Sequence, residues 1–515
     1  MKLLKSITLV SIAGLAAADW SVGQKVTTTS GEVVGHAAKL DSSVSEYLGL
    51  PFAQPPVGKL RWMPPVRTEK SSKPIIAAQF GPDCSQVGAA RNSSMTETQK
   101  GVLSGLSSSR EQSEDCLTLN IWTKPQSGEK KKAVLVWVYG GGFSTGSTAT
   151  PSYNGVRFAG NQDVVLVSIN YRLMIMGFPA APEIFPDVNL GLLDQRVALE
   201  WVRDNIAAFG GDPARITLFG ESAGGRSVDI YSYAWADEKD PIVNGFIAES
   251  GSAPQNTGWL PRPKSWFELS SRLGCGGEEK GKQTVDCMRG KSLQDVMAGV
   301  GTNGKTRRDI SRAFTPVVDG KRYFADYDKR SAEGKFIQKP MLTGSNDNES
   351  GLQSYVAALS GTIYDEAQKK SVTLGYTCGA KVVADRRAEK KLPIWRYRWM
   401  TDIPSQRLTN ASAAWHGSEI SSVFNLVDTV KHRGSDAIPA QIALSKYMNN
   451  AWAEFAKDPE KGLDKLGLPH WNAQDQQLIL FGSARNLSGV AVVKGDEFDK
   501  ECSTLKNTLP GGSDS

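Results

Sequence analysis

Short apolar runs alternate with stretches of helical periodicity through most of the chain. Ala133 to Tyr139 is a continuous apolar run that ends in three glycines, and Val164 to Ile169 is another. Ile216 to Phe219 and Gly245 to Ala248 are shorter, and Pro340 to Thr343 and Leu392 to Tyr397 follow. Runs this short, with no polar alternation, predict strands covered on both faces, as in parallel sheets. Between them, Asn189 to Phe209 predicts a helix. Leu193, Val197 and Trp201 share one face of it, Ala198, Val202 and Ile206 lie beside them, and Gly210-Gly-Asp-Pro213 ends it. Strand and helix in alternation predict an α/β fold, with a large, mostly parallel sheet flanked by helices. Residues 86–115 are polar and predict a long loop; no internal repeat or low-complexity linker interrupts the chain.

The first eighteen residues stand outside this pattern. Lys2 and Lys5 precede an uncharged apolar run from Ile7 to Ala17, and Ala16-Ala17-Ala18 is a small-residue cleavage pattern. This predicts a secretory signal peptide, 1–18, followed by a single domain over 19–515 with a flexible tail from about 503. No later apolar run approaches the roughly 20 residues of a membrane helix. Leu509 to Ser515 is polar and carries no lipid-anchor signal. The formal charge of +6 falls to +4 without Lys2 and Lys5. Spread over 515 residues, that excess suggests neither nucleic acid nor an acidic membrane as partner. A soluble secreted protein is expected. Six cysteines in such a chain are expected to pair, although composition leaves the pairing open. Four N-x-S sequons, at Asn92, Asn348, Asn410 and Asn486, are glycosylation candidates in the same compartment.

The sharpest chemical signal is Gly220-Glu-Ser-Ala-Gly224, preceded by an apolar run and followed by a helix-like stretch to Trp235. This is a G-x-S-x-G nucleophile elbow in strand–turn–helix context. A turn tight enough to lift Ser222 off the sheet leaves no room for a Cβ at two neighbouring positions. A serine hydroxyl needs a base, and the chain has four histidines. His36 precedes the serine, against the order serine, acid, histidine. His432 lies in a polar segment, and His470 lies between Pro469 and Trp471, where packing is the better reading. His416, in Trp415-His-Gly-Ser-Glu-Ile420, is the expected base. Tyr139-Gly-Gly-Gly-Phe143 follows a strand, so Gly141 and Gly142, with the N–H of Ala223, are the expected oxyanion donors. The acid is left open by the residues alone. No His/Cys cluster has ligand spacing, so neither a metal nor a cofactor is expected.

With these motifs, Tyr47-Leu-Gly-Leu-Pro-Phe-Ala-Gln-Pro-Pro-Val-Gly-Lys-Leu-Arg61 and Ser113-Glu-Asp-Cys-Leu-Thr-Leu-Asn-Ile-Trp122 resemble the first two signatures of the type-B carboxylesterase/lipase family, and Phe219 to Gly224 resembles the third. Asn170-Tyr-Arg-Leu173, Gly191-Leu-Leu-Asp-Gln195 and Phe209-Gly-Gly-Asp-Pro213 also match. The resemblance runs from about Gly31 to Cys502 and is most similar to fungal secreted esterases and lipases. It implies an α/β-hydrolase fold and ester hydrolysis. It also implies that the acid is Glu349, in Gly344-Ser-Asn-Asp-Asn-Glu349, with Asp347 as local rival; Ser350 stands where the family has glycine. Glu221 and Ser250 are expected to support the triad. The implied disulfides are Cys84–Cys116, Cys275–Cys287 and Cys378–Cys502.

Within the family, residues 85–115 contain no Trp, Tyr or Phe, which argues against a cationic choline ester as substrate. The same loop offers only scattered apolar residues, among them Val102, Leu103 and Leu106, for a lipase flap. The expected partner is therefore a small, dissolved ester, with lipase activity as the alternative. Relatives that are adhesion proteins or hormone precursors lose the serine, which is present here. The family signatures also argue against a peptidase.

Overall fold

The apolar runs become the middle of one sheet. The computed structural model describes residues 20–505 apart from 87–109, 125–130, 254–261, 302–309, 311–312, 360, 404–405, 410, 430–436 and 484–485. The predicted signal peptide, most of the polar loop with Asn92, the Asn410 sequon, His432 and residues beyond 505 lie outside the described residues. A short helix, Cys502–Leu505, is the last described element.

Among the described residues the main sheet has eleven strands: β1 (His36–Ala37), β2 (Ser45–Pro51), β3 (Thr118–Thr123), β4 (Lys132–Val138), β5 (Val165–Ile169), β6 (Gly211–Glu221), β7 (Gly245–Glu249), β8 (Met341–Asn346), β9 (Ile394–Trp399), β10 (Gln477–Phe481) and β11 (Val490–Lys494). Their spatial order is β11-β10-β9-β8-β7-β6-β4-β5-β3-β2-β1. The seven from β5 through β4 and β6 to β10 are parallel, and the pairs at either end are antiparallel. Every residue of β4 and β5 is buried, as their unalternating sequences require. β4 has β5 on one side and β6 on the other, so the strand order reverses there. In open α/β sheets such a reversal places a crevice at the carboxyl ends of the strands.

Helices cover the sheet: α1 (Leu190–Asn205), α2 (Ala223–Ala234), α3 (Ser350–Leu359), α4 (Glu366–Glu389) and α5 (Pro439–Lys457). The helix expected over 189–209 divides into α1 and a tighter turn, Ile206–Phe209, closed by Gly210 in the left-handed region (φ 82°). Trp201 is core, and its indole N–H donates to Ser30 Oγ. Strand β6 starts five residues earlier than its apolar run, because Gly211 pairs with Lys132 before a register shift.

Two of the family-like motifs meet underneath. Arg172 donates through Nε and Nη2 to both oxygens of Asp194 on α1, at 2.9 and 2.7 Å, and its backbone N–H donates to the same carboxylate. Both residues are buried. Disulfides join Cys84 to Cys116, Cys275 to Cys287 and Cys378 to Cys502. The last, with the buried Arg396–Asp499 pair, ties the chain's end to α4 and β9. In the chain-entropy account each disulfide is worth about 3–5 kcal/mol at most.

Asp194→Ala leaves the Arg172 guanidinium buried without its counter-ion, so it is expected to cost about 3–5 kcal/mol. Equilibrium denaturation, with Asp194→Asn as the milder variant, measures this.

Candidate active site

Ser222 stands on the turn between β6 and α2 with φ 58° and ψ −119°. A non-glycine residue held there stores on the order of 1–3 kcal/mol, so its surroundings must enforce it. They do so by contact. A Cβ on Gly224 would stand 1.9 Å from the Val138 carbonyl oxygen, and one on Gly220 would stand 2.5 Å from it. The Ser222 N–H donates to the Glu249 carbonyl at 2.9 Å, and its carbonyl accepts from the Arg226 N–H at 2.8 Å. The serine is left partly exposed at the carboxyl edge of the sheet.

Glu349 lies at the entry to α3, beyond β8, and His416 lies on the turn beyond β9. An isolated bridge between Asn348 and Trp415 brings the two segments together. His416 Nδ1 is 2.6 Å from Glu349 Oε2. The other carboxylate oxygen accepts from Ser250 Oγ and from the Asn346 N–H, both at 2.7 Å. Glu349 is fully buried. Asp347 faces elsewhere, paired with Arg398 at 3.0 Å and about one-third exposed. His36 sits 3.2 Å from the Ala78 carbonyl and His470 2.8 Å from Asp464, both away from this cluster. Among the described residues His416 Nε2 has no hydrogen-bond partner, and its nearest ionic neighbour is Glu221 Oε1 at 3.2 Å.

The glycine-rich run after β4 turns sharply, with Gly141 at φ 106° and Gly142 at φ 64°. Ser144 and Thr145 close the turn by donating to the Gly141 carbonyl at 3.1 and 3.0 Å. Among the described residues, the N–H groups of Gly141, Gly142 and Ala223 donate no hydrogen bond. Gly140 packs against the elbow: a Cβ there would meet the Glu221 carbonyl at 2.7 Å and Ser222 Cβ at 2.8 Å.

Around the imidazole the structure adds groups that the motifs do not announce. The Tyr376 ring packs on it at 4.6 Å between centroids. Glu249 lies beside Glu221 in register on the neighbouring strand, and Glu419 is three residues beyond His416. Both are fully buried. Trp452 donates to Glu249 at 2.8 Å, and the Asn346 side chain donates to Glu419. Strand register would have exposed the first, because the elbow and the Glu249-Ser-Gly251 segment end adjacent parallel strands. The second lies within the histidine motif but reads there as one more polar residue.

Burial governs these acids. It pushes Glu221 up to about 7, helped by the Glu349 charge and opposed by His416. It pushes Glu419 up to about 8, helped by Glu221 and Glu349 and opposed by the Asn346 hydrogen bond. Glu249 is held well above the carboxylate range by burial and by Glu419, against the Trp452 bond. For His416, burial disfavours charge, but Tyr376, Glu221 and Glu349 outweigh it and hold the imidazole well above its ordinary value. The arrangement sets a strained serine, an imidazole carrying a buried carboxylate partner and a set of unsatisfied N–H donors on one edge of the sheet. Among the described residues, no cluster of His, Cys, Asp and Glu is arranged to hold a metal.

A model of the carboxylesterase family matches residues 22–375. The chain is 30% identical to Secreted lipase 5 of Gibberella zeae, over 93% of each chain. It is 32% identical to the chlorogenic acid esterase of Aspergillus niger, over 87% of this chain and 85% of that one. It is 28% identical to the para-nitrobenzyl esterase of Bacillus subtilis, over 89% and 95%.

A carboxyl whose folded value is raised lets the native state hold a proton that the unfolded chain releases. Its stabilisation is full below about 4.5 and is lost as pH rises through the folded value. For Glu419, at about 8, stability should fall from about pH 5 to 8. Glu419→Gln should remove roughly 2–4 kcal/mol of that fall. Denaturant melts of both proteins at pH 5 and pH 9 measure it.

Proposed function

The chain belongs to the carboxylesterase family and is a carboxylic ester hydrolase, and on that premise we propose a secreted serine esterase of one domain that works through an acyl-enzyme with Ser222, His416 and Glu349 as its triad. The observation that carries the reading is the 2.6 Å contact between His416 Nδ1 and buried Glu349, at the same sheet edge as the strained serine. His416 Nε2, the free nitrogen, takes the proton from Ser222 Oγ as that oxygen bonds to the ester carbonyl carbon. Glu349 keeps Nδ1 protonated and stabilises the imidazolium; Ser250 and Asn346 hold its other oxygen in place. Glu221 Oε1, 3.2 Å from Nε2, lies beside the nitrogen where the proton arrives. The N–H groups of Gly141, Gly142 and Ala223 bind the oxyanion. His416 then protonates the departing alcohol, and water releases the acid by the reverse sequence.

Three disulfides, the leader-like first eighteen residues and a relative named Secreted lipase 5 support export. No helix among the described residues is long and apolar enough to cross a membrane. Of the sequons, Asn486 is exposed, whereas the Asn348 amide nitrogen donates to the Ser412 carbonyl at 2.8 Å. The substrates are short or medium dissolved esters. The polar composition of residues 86–115 supports this over a lipid interface, while the fungal lipase relative supports the alternative. Rates on tributyrin across its solubility limit decide: a smooth curve fits a soluble esterase, and a sharp rise at saturation a lipase.

Ser222→Ala should abolish turnover, by about 10⁶-fold, with the fold intact by circular dichroism. Glu349→Gln should cost orders of magnitude in kcat, and Asp347→Asn less than about threefold, since Asp347 faces Arg398. Only neutral His416 accepts the serine proton, so activity rises with pH. The surrounding carboxylates place that rise above the roughly 6.5 of a free imidazole, and Glu349→Gln should move it down. A kcat/KM profile from pH 4 to 9 reads both shifts.

A further inference from the structure

Gln86 has no part in the steps above, yet its side chain is buried, 4% exposed, and both polar atoms are engaged. Oε1 accepts from the Gly146 N–H at 3.0 Å, while Nε2 donates to the Gly146 carbonyl at 2.9 Å and to the Cys84 carbonyl at 3.1 Å. The two bonds to Gly146 copy the exchange of an antiparallel pair, with a side-chain amide standing in for a peptide.

Gly146 is the base of the glycine-rich turn. At φ 126° it is packed so closely that a Cβ would meet the Tyr139 ring at 2.4 Å and the Gly140 carbonyl at 2.7 Å. Gly141 to Thr145 is the closed turn between these two contact points. The segment carrying Gln86 holds the chain just beyond as well. Ser147 Oγ donates to Asp83 at 2.5 Å, and Asn170 accepts from the Thr148 N–H and donates to the Pro82 carbonyl. Gln86 is itself anchored, its N–H donating to Gln112 at 2.9 Å and Cys84 bonded to Cys116.

We propose that Gln86 is a positioning residue that holds the Gly141–Gly142 turn at the distance the oxyanion needs. The proposal rests on the reading of those N–H groups as oxyanion donors. Consecutive glycines have more backbone freedom than any other sequence, so the turn's geometry comes from what grips its ends. A donor displaced by a fraction of an ångström loses strength at the developing charge while leaving ester binding almost untouched. Loss of the clamp therefore appears in the transition state and not in the ground state.

The test uses the full secreted chain with Gln86→Leu, which removes all three side-chain bonds, and Gln86→Glu, which keeps the acceptor and loses the donors. Titration with an organophosphonate, run to completion, counts active sites. kcat and KM are measured on p-nitrophenyl butyrate, with inhibition by a trifluoromethyl ketone that the serine converts to an oxyanion. For Gln86→Leu, kcat per titrated site should fall about 10- to 100-fold. Ketone affinity should weaken by the same factor, KM should stay within about threefold, and Gln86→Glu should lie between. Gly141→Ala, whose Cβ would stand 2.2 Å from the Thr145 carbonyl oxygen, tests the underlying reading separately. If it leaves kcat and ketone affinity unchanged, the oxyanion reading fails. If it lowers both while Gln86→Leu keeps both, the Gln86 proposal alone fails. Should Gln86→Leu not fold, Gln86→Glu decides by the same measures. If neither folds, Gln86 serves the fold and the proposal is overturned.

Discussion

The Val138 carbonyl oxygen lies so close to Gly220 and Gly224 that neither position admits a side chain. This contact is where β4 ends against the elbow, and it exists because β4 lies between β5 and β6 in the sheet. From it follow the positive φ of Ser222, the direction of α2 and the placing of the glycine-rich turn beside the serine. Residues that look like loose punctuation in the chain are therefore closely packed backbone.

The second constraint is electrostatic. Four glutamates, at 221, 249, 349 and 419, are buried around or behind a single imidazole. Two like charges about 5 Å apart repel by roughly 3 kcal/mol at an effective dielectric near 20, so full ionisation of such a set is costly. The structure relieves it by keeping Glu221, Glu249 and Glu419 inclined to hold protons. Glu349 differs in its partners. It accepts from a hydroxyl and a peptide N–H through one oxygen and faces the imidazole with the other. Glu349 faces one ring nitrogen of His416 and Glu221 the other, whereas Glu249 and Glu419 are held by Trp452 and Asn346.

The antiparallel end of the sheet and the first disulfide have a related task. Tyr139 and Tyr171 stack at 4.7 Å and each hydroxyl donates to the other's carbonyl, which fixes the exit of β4 against the segment leading to Arg172. Arg172 is held in turn by Asp194. The side of the glycine-rich turn away from the elbow is thus braced by polar side chains drawn from three distant stretches of sequence. A flexible backbone is made rigid from outside, with no loss of the N–H groups it presents.

Much of this was legible in the chain. Six apolar runs without alternation announced buried parallel strands, and the spacing Gly220-Glu-Ser-Ala-Gly224 after one of them announced a strained turn, because both signals are local and depend on period and on the missing Cβ. The histidine could be chosen by its order and neighbours. Glu349 came only through resemblance, since a carboxylate among several in a polar turn has no local mark; it is the fold that turns Asp347 to Arg398 and Glu349 to His416. Glu249 and Glu419 carry no local mark in the sequence, and Gln86 lies at the start of a polar stretch. Their environment is made of cross-strand register and of segments far apart in sequence. Burial and partnership are properties of such long-range contacts, and no local pattern of residues encodes them.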